Sequence, residues 1–153
     1  MLTMIIFTIV FLGIDLISKV IVSNLLEVYD SVKVINNFFY ISYVKNTGAA
    51  WSMFSNSTWF VVLLSLIIIV CLFIYIYKNK PGSLMEKISY SMILGGALGN
   101  FLDRIIYGYV IDFLDFMVFG YDYPIFNLAD TFIVIGVIML LICTWRCRDG
   151  NKC

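Results

Sequence analysis

With 62% hydrophobic and 13% charged residues over 153 positions and a mean hydropathy of +0.98, the chain lies far outside the soluble range and reads as an integral membrane protein. The length leaves room for roughly four spans of about 20 residues and excludes a separate soluble domain, so one polytopic membrane domain over 1–153 is expected. A formal net charge of zero, with no basic run interleaved with aromatics, excludes nucleic acid as a partner.

The first apolar run, 4–26, is long enough to span and lacks the short core and small-residue cleavage site of a removed signal peptide. Within it Asp15 and Lys19 stand at i and i+4 on one helix face, with the acid N-terminal to the base. Such a pair either fixes this helix against its neighbours or handles substrate. Ser18 is adjacent to Lys19, and adjacent helix positions point about 100° apart, so a Ser/Lys protease pair is not indicated.

From about 27 to 57 the pattern becomes β-rich. Val32 to Val34 and Phe38 to Val44 flank the Asn36-Asn37 pair and predict a hairpin. The aromatics of this region, together with Trp51, Phe54 and Trp59, suit a small sheet at the membrane interface. KNTGAAW, Lys45 to Trp51, then supplies small residues where the chain returns towards the bilayer.

The second span is predicted over 58–77, followed by the basic loop KNKPGS, Lys78 to Ser83. The third, about 88–107, contains GGALG, Gly95 to Gly99, a smooth face for close helix packing. VIDFLDFMVFGYDYP after Gly108 is too polar and too short to span, and is expected as an interfacial loop. The fourth span is placed at about 126–145. The fold class expected is thus an all-α membrane protein: four transmembrane helices, a small extracytoplasmic β-hairpin or sheet, and an interfacial loop. With both termini inside, the cytoplasmic face carries Lys78, Lys80, Lys87, Arg146, Arg148 and Lys152, against Lys33 and Lys45 outside, as the positive-inside rule requires.

Histidine is absent, which removes Ser/His and Cys/His nucleophilic machinery and the HExxH zinc motif together. Cys71, Cys143, Cys147 and Cys153 fall in or after apolar runs and read as small apolar residues near a reducing cytoplasm. No metal or cofactor is expected. The chemistry therefore rests on acids placed where charge is costly. Asn100, Asp103 and Arg104, at i, i+3 and i+4, form one polar edge; Asp103, with Arg104 beside it in sequence, is expected to be ionised and structural, and Arg104 to face phosphate or substrate. Asp112 and Asp130 have apolar flanks and no adjacent base. If they meet in a low-dielectric site they must share a proton, one acting as base and the other as acid. Asn127 is a candidate N-cap for the helix carrying Asp130. Asp115 and Asp122 read as solvated. These residues by themselves leave open an aspartyl hydrolase, an ion or proton pathway, and a structural membrane protein.

Asp15 and Lys19 in IDLISK, Asn46 to Ala50 in NTGAA, GNFLDR from Gly99 to Arg104, VIDF around Asp112 and FNLAD from Phe126 to Asp130 occur in the order and spacing of one family. The chain resembles bacterial lipoprotein signal peptidase, signal peptidase II, across essentially its whole length. The resemblance implies an aspartyl endopeptidase of the bacterial cytoplasmic membrane that removes the signal peptide from diacylglyceryl-modified prolipoproteins just before the lipidated lipobox cysteine. It implies Asp112 and Asp130 as the catalytic pair, with Asn46, Gly48, Asn100, Arg104, Asn127 and Ala129 binding substrate. Asp15, Lys19 and Asp103 match supporting positions. It further implies membrane lipid as surroundings, inhibition by globomycin-type cyclic peptides, and an active site near the extracytoplasmic face. The GxGD motif of presenilin-type proteases is absent.

Overall fold

The computed structural model describes residues 1–48 and 58–148. Ala49, Ala50, Trp51 and Phe54 of the β-rich region, and Lys152 and Cys153 of the tail, lie outside the described residues. The described chain folds as α1 (Leu2–Leu25), β1 (Ser31–Ile35), β2 (Phe39–Asn46), α2 (Thr58–Asn79), α3 (Leu84–Tyr107), β3 (Val110–Val118), β4 (Tyr121–Asp122) and α4 (Leu128–Arg148).

Among the described residues, three helices are long and apolar enough to cross a membrane: Leu2–Leu25, Trp59–Asn79 and Leu128–Arg146. Their apolar side chains point outwards; Ile5, Ile9, Ile17, Leu63, Ile67, Phe73, Val134, Ile138 and Leu141 are all exposed, as suits a hydrocarbon solvent. Helix α3 is more polar, because it carries Glu86, Lys87, Asp103 and Arg104, and it lies against all three of the others. Several of its polar groups find partners on neighbouring elements. Ser91 Oγ donates to the Met4 carbonyl of α1 at 3.1 Å, while Ser89, Ser91, Gly95, Gly96, Gly99 and Asp103 are buried.

Local chemistry sets the ends of α3. Ser83 and Glu86 form a reciprocal capping box at its start. Gly108 closes it in the left-handed region, φ 79°, with its N–H returned to the Arg104 carbonyl. The glycines within α3 permit very close approach. A Cβ at Gly96 would collide with the Ala129 carbonyl of α4, and one at Gly95 would sit 2.9 Å from Phe11 Cβ of α1.

The expected hairpin forms, with Val32 opposite Ile41 and Ser31 opposite Ser42. The segment after Gly108 corrects the sequence reading: instead of a loop it forms β3 and β4. All neighbours are antiparallel, in the order β1-β2-β3-β4. The nine residues of β3 are rich in β-branched and aromatic side chains, and β2 offered an unpaired edge. A two-residue turn with Phe119 and Gly120 both at positive φ then returns β4 along β3. One sheet face packs on the end of α1, where Val22, Tyr43, Ile111 and Phe113 make a buried cluster.

Candidate active site

Strand pairing delivers the first acid. Asn46 lies opposite Val110 and Val44 opposite Asp112, so Asn46 and Asp112 share a sheet face as diagonal neighbours. Asn46 Nδ2 donates to Asp112 Oδ2 at 2.9 Å, and Asn46 Oδ1 accepts the Gly48 N–H at 3.0 Å. Asp112 is 3% exposed. Burial pushes its carboxyl from the usual 3.8 up to about 7, with the neighbouring Asp130 adding to the rise and the Asn46 and Asn127 amides opposing it.

The second acid is placed by the amino end of α4. The Phe126 carbonyl accepts the N–H groups of Phe113 and Leu114, and the Phe126 N–H donates to the Leu114 carbonyl at 3.1 Å, which stitches the approach to α4 onto β3. The next residue, Asn127, caps the helix: its Oδ1 accepts the Asp130 N–H at 3.0 Å, while Asp130 Oδ2 accepts the Asn127 N–H at 3.2 Å. Asn127 Nδ2 reaches Asp112 Oδ1 at 2.6 Å. One residue therefore touches both acids.

A third helix closes the centre. Asn100 Nδ2 donates to Asp130 Oδ1 at 2.8 Å. Arg104 Nη2 donates to the Gly48 carbonyl at 2.8 Å and Nη1 to the Asn100 carbonyl at 3.2 Å. Asp103 does not pair with Arg104, the partner its sequence position suggested, because neighbours on a helix diverge. It pairs instead with Lys19 of α1 at 3.0 Å and accepts the Ile111 N–H at 3.2 Å. Lys19 also pairs with Asp15 at 2.7 Å, and Asp15 Oδ1 accepts the Ala129 N–H of α4 at 2.9 Å. Removing one partner from a buried ion pair costs about 3–5 kcal/mol, so this triad is a strong constraint on how α1, α3 and α4 meet. Ser18 Oγ is committed to the Asp15 carbonyl at 2.7 Å, which leaves no Ser/Lys pair.

These groups surround a cavity of about 530 Å³. Asn46, Asn100, Arg104, Asp112, Asp130 and Thr131 supply its polar wall, and Val110, Tyr123, Pro124, Ile125, Phe126 and Ile133 to Ile135 its apolar wall. Of the residues named from sequence, Gly48, Asn127 and Ala129 stand just behind that wall and hold it, and Asp15, Lys19 and Asp103 form the layer beneath. Asp115 accepts a hydrogen bond from Ser42 at 2.6 Å, and Asp122 is exposed on β4. Sequence reasoning missed the apolar wall, whose only signal was the Tyr-Pro-Ile run, Tyr123 to Ile125, directly before FNLAD.

Fold and site define a helical membrane protein with two carboxylates on the polar side of one mainly apolar cavity, an arrangement suited to hydrolysis of an amphipathic substrate. The family model described as signal peptidase (SPase) II matches residues 7–146. Lipoprotein signal peptidases of Staphylococcus aureus, strains JH9 and Newman among them, are 38% identical over 138 residues, covering 90% of this chain and 85% of theirs. Two solved structures, each described as a bacterial membrane enzyme studied by the in meso method, superpose with TM-scores of 0.88 and 0.82 at 35% and 37% identity. The first covers 98% of this chain and 92% of its own, the second 92% and 90%. The chain belongs to the signal peptidase II family and is a peptidase.

Proposed function

We propose that this protein is an aspartyl endopeptidase that cleaves diacylglyceryl-modified prolipoproteins just before the lipidated cysteine. Family membership supports the peptidase activity. The observation that carries the aspartic mechanism is the opening of Asp112 and Asp130, from different elements, onto one cavity. With one proton on the pair, the ionised carboxylate takes a proton from water as its oxygen attacks the scissile carbonyl, and the protonated one donates to the carbonyl oxygen. Collapse of the tetrahedral intermediate returns a proton to the leaving amine. Asn46, Asn100 and Arg104 would hold the substrate main chain across the acids, with Gly48, Asn127 and Ala129 fixing that wall from behind. The apolar wall suits acyl chains and the flanking signal-peptide residues.

In this reading all of 1–153 is one membrane domain of the bacterial cytoplasmic membrane. Helix α3 is its fourth span, both termini are cytoplasmic, and the sheet and cavity lie at the extracytoplasmic face. The burial of α3 among three apolar helices supports the fourth crossing, and the lysine and arginine distribution supports the orientation. Globomycin-type cyclic peptides would occupy the same cavity as substrate.

Purified Asp112→Asn and Asp130→Asn variants are each expected to lose cleavage of a diacylglyceryl-modified prolipoprotein by about 10³-fold or more, the scale of losing an essential acid or base. Normal turnover in both would overturn the assignment.

A further inference from the structure

Lys19 does not reach the cavity. It is 2% exposed, and its ammonium faces three oxygens: Asp15 Oδ2 at 2.7 Å, Asp103 Oδ2 at 3.0 Å and Asn100 Oδ1 at 3.0 Å. An ammonium has three N–H donors and no lone pair, so the end of the Asn100 amide that meets it must be the oxygen. The other end, Nδ2, is thereby aimed at Asp130 Oδ1, 2.8 Å away. The remaining hold on Asn100 Oδ1 is weaker. It comes from Asn127 Nδ2 at 3.1 Å, which has two hydrogens for three acceptors and makes its shortest contact, 2.6 Å, with Asp112.

We propose that Lys19 is a positioning residue for Asp130, acting through Asn100: the ammonium fixes the orientation of the amide, and the amide fixes the plane of the carboxylate. A reversed amide would set its oxygen against Asp130 Oδ1, two acceptors face to face, and turn the carboxylate away from the cavity. The inference rests on the reading of Asp112 and Asp130 as the hydrolytic pair and deepens it. Lys19 also joins Asp15 and Asp103, so its packing role has to be separated from its positioning role.

A double-mutant cycle separates them. Prolipoprotein turnover is measured for Lys19→Met, Asn100→Ala and the double variant, with Lys19→Arg as the conservative exchange. Lys19→Met is expected to lower kcat by about 10²-fold, the scale of a small misplacement of a reacting group, with KM little changed. Lys19→Arg, still a pure donor, should recover most of that loss. The double variant should be no slower than Asn100→Ala alone. Losses that multiply would leave Lys19 a packing role only and overturn the proposal. Where Lys19→Met does not fold, Lys19→Gln, whose amide can turn either atom towards Asn100, replaces it with the same expectation. The Asn100 side-chain amide resonances of 15N-labelled protein supply a readout free of activity. They are expected to move in Lys19→Gln and stay near wild type in Lys19→Arg, and resonances unmoved by Lys19→Gln would overturn the positioning. If wild type itself fails to cleave, the peptidase reading falls while this spectroscopic test still decides the role of Lys19.

Discussion

A carboxyl that keeps its proton up to about pH 7 behaves unlike a surface aspartate, and the difference at Asp112 is measurable. Between 3.8 and about 7 the folded chain retains a proton that the unfolded chain has released, so this group makes folding less favourable as pH rises across that window. The catalytic consequence has the same sign. Activity that needs one proton on the pair is expected to fall as pH rises through about 7, giving a descending limb in kcat/KM there. Asn46 donates to the carboxylate and so favours its charged form. Asn46→Ala should therefore raise the pKa of Asp112 and move the descending limb to higher pH. A limb that stays in place, or moves down, would show that Asp112 does not control it.

At the scale of elements, the glycines of α3 set how near its neighbours come. A Cβ at Gly99 would collide with Asp15 Oδ2, whereas one at Gly13 of α1 would meet nothing within 4 Å. Gly99→Ala is expected to destabilise by about 1–3 kcal/mol through overpacking. It should also reduce turnover, because Asp15 loses its alignment on the Ala129 N–H. Gly13→Ala, by contrast, should change stability by no more than about 1 kcal/mol, towards greater stability. Thermal unfolding in detergent beside a cleavage assay checks both. The four helices were legible in sequence to within a few residues, because apolar runs bounded by Pro-Gly, Gly108 and Asn127 leave little freedom. The hairpin was legible from its β-rich runs around Asn36-Asn37. Strand β3 was not: its two acids, Asp112 and Asp115, argued against a span, and local pattern cannot show that β2, more than sixty residues earlier, has an edge to receive it. The ion pair of Lys19 with Asp103 was hidden for the same reason, since it joins helices far apart in sequence, whereas Asp15 with Lys19 shows at i and i+4.

Over the whole molecule, three apolar helices shield a more polar one, and the sheet gathers at the end where α3 stops and α4 starts. With the orientation proposed above, that geometry predicts opposite exposure for two lysines. In a background without reactive thiols, Lys33→Cys on β1 should react with a membrane-impermeant maleimide on intact cells. Lys78→Cys, at the far end of α2, should react only after lysis. The reverse pattern would invert the orientation of the molecule.

The stitch between Phe126 and β3, together with the Asp15 cap on Ala129, bears on the order in which the protein is made. Chains are synthesised and inserted from the amino end, so Asp112 emerges before Asp130 and before the Asn127 that touches both. Until α4 has joined α1 and α3, Asp112 has no acidic partner and the cavity has no second wall. If Asp112 and Asp130 are the hydrolytic pair proposed above, a peptidase built this way is expected to be inert while it is being inserted among other nascent membrane chains, and to become competent only when α4 docks.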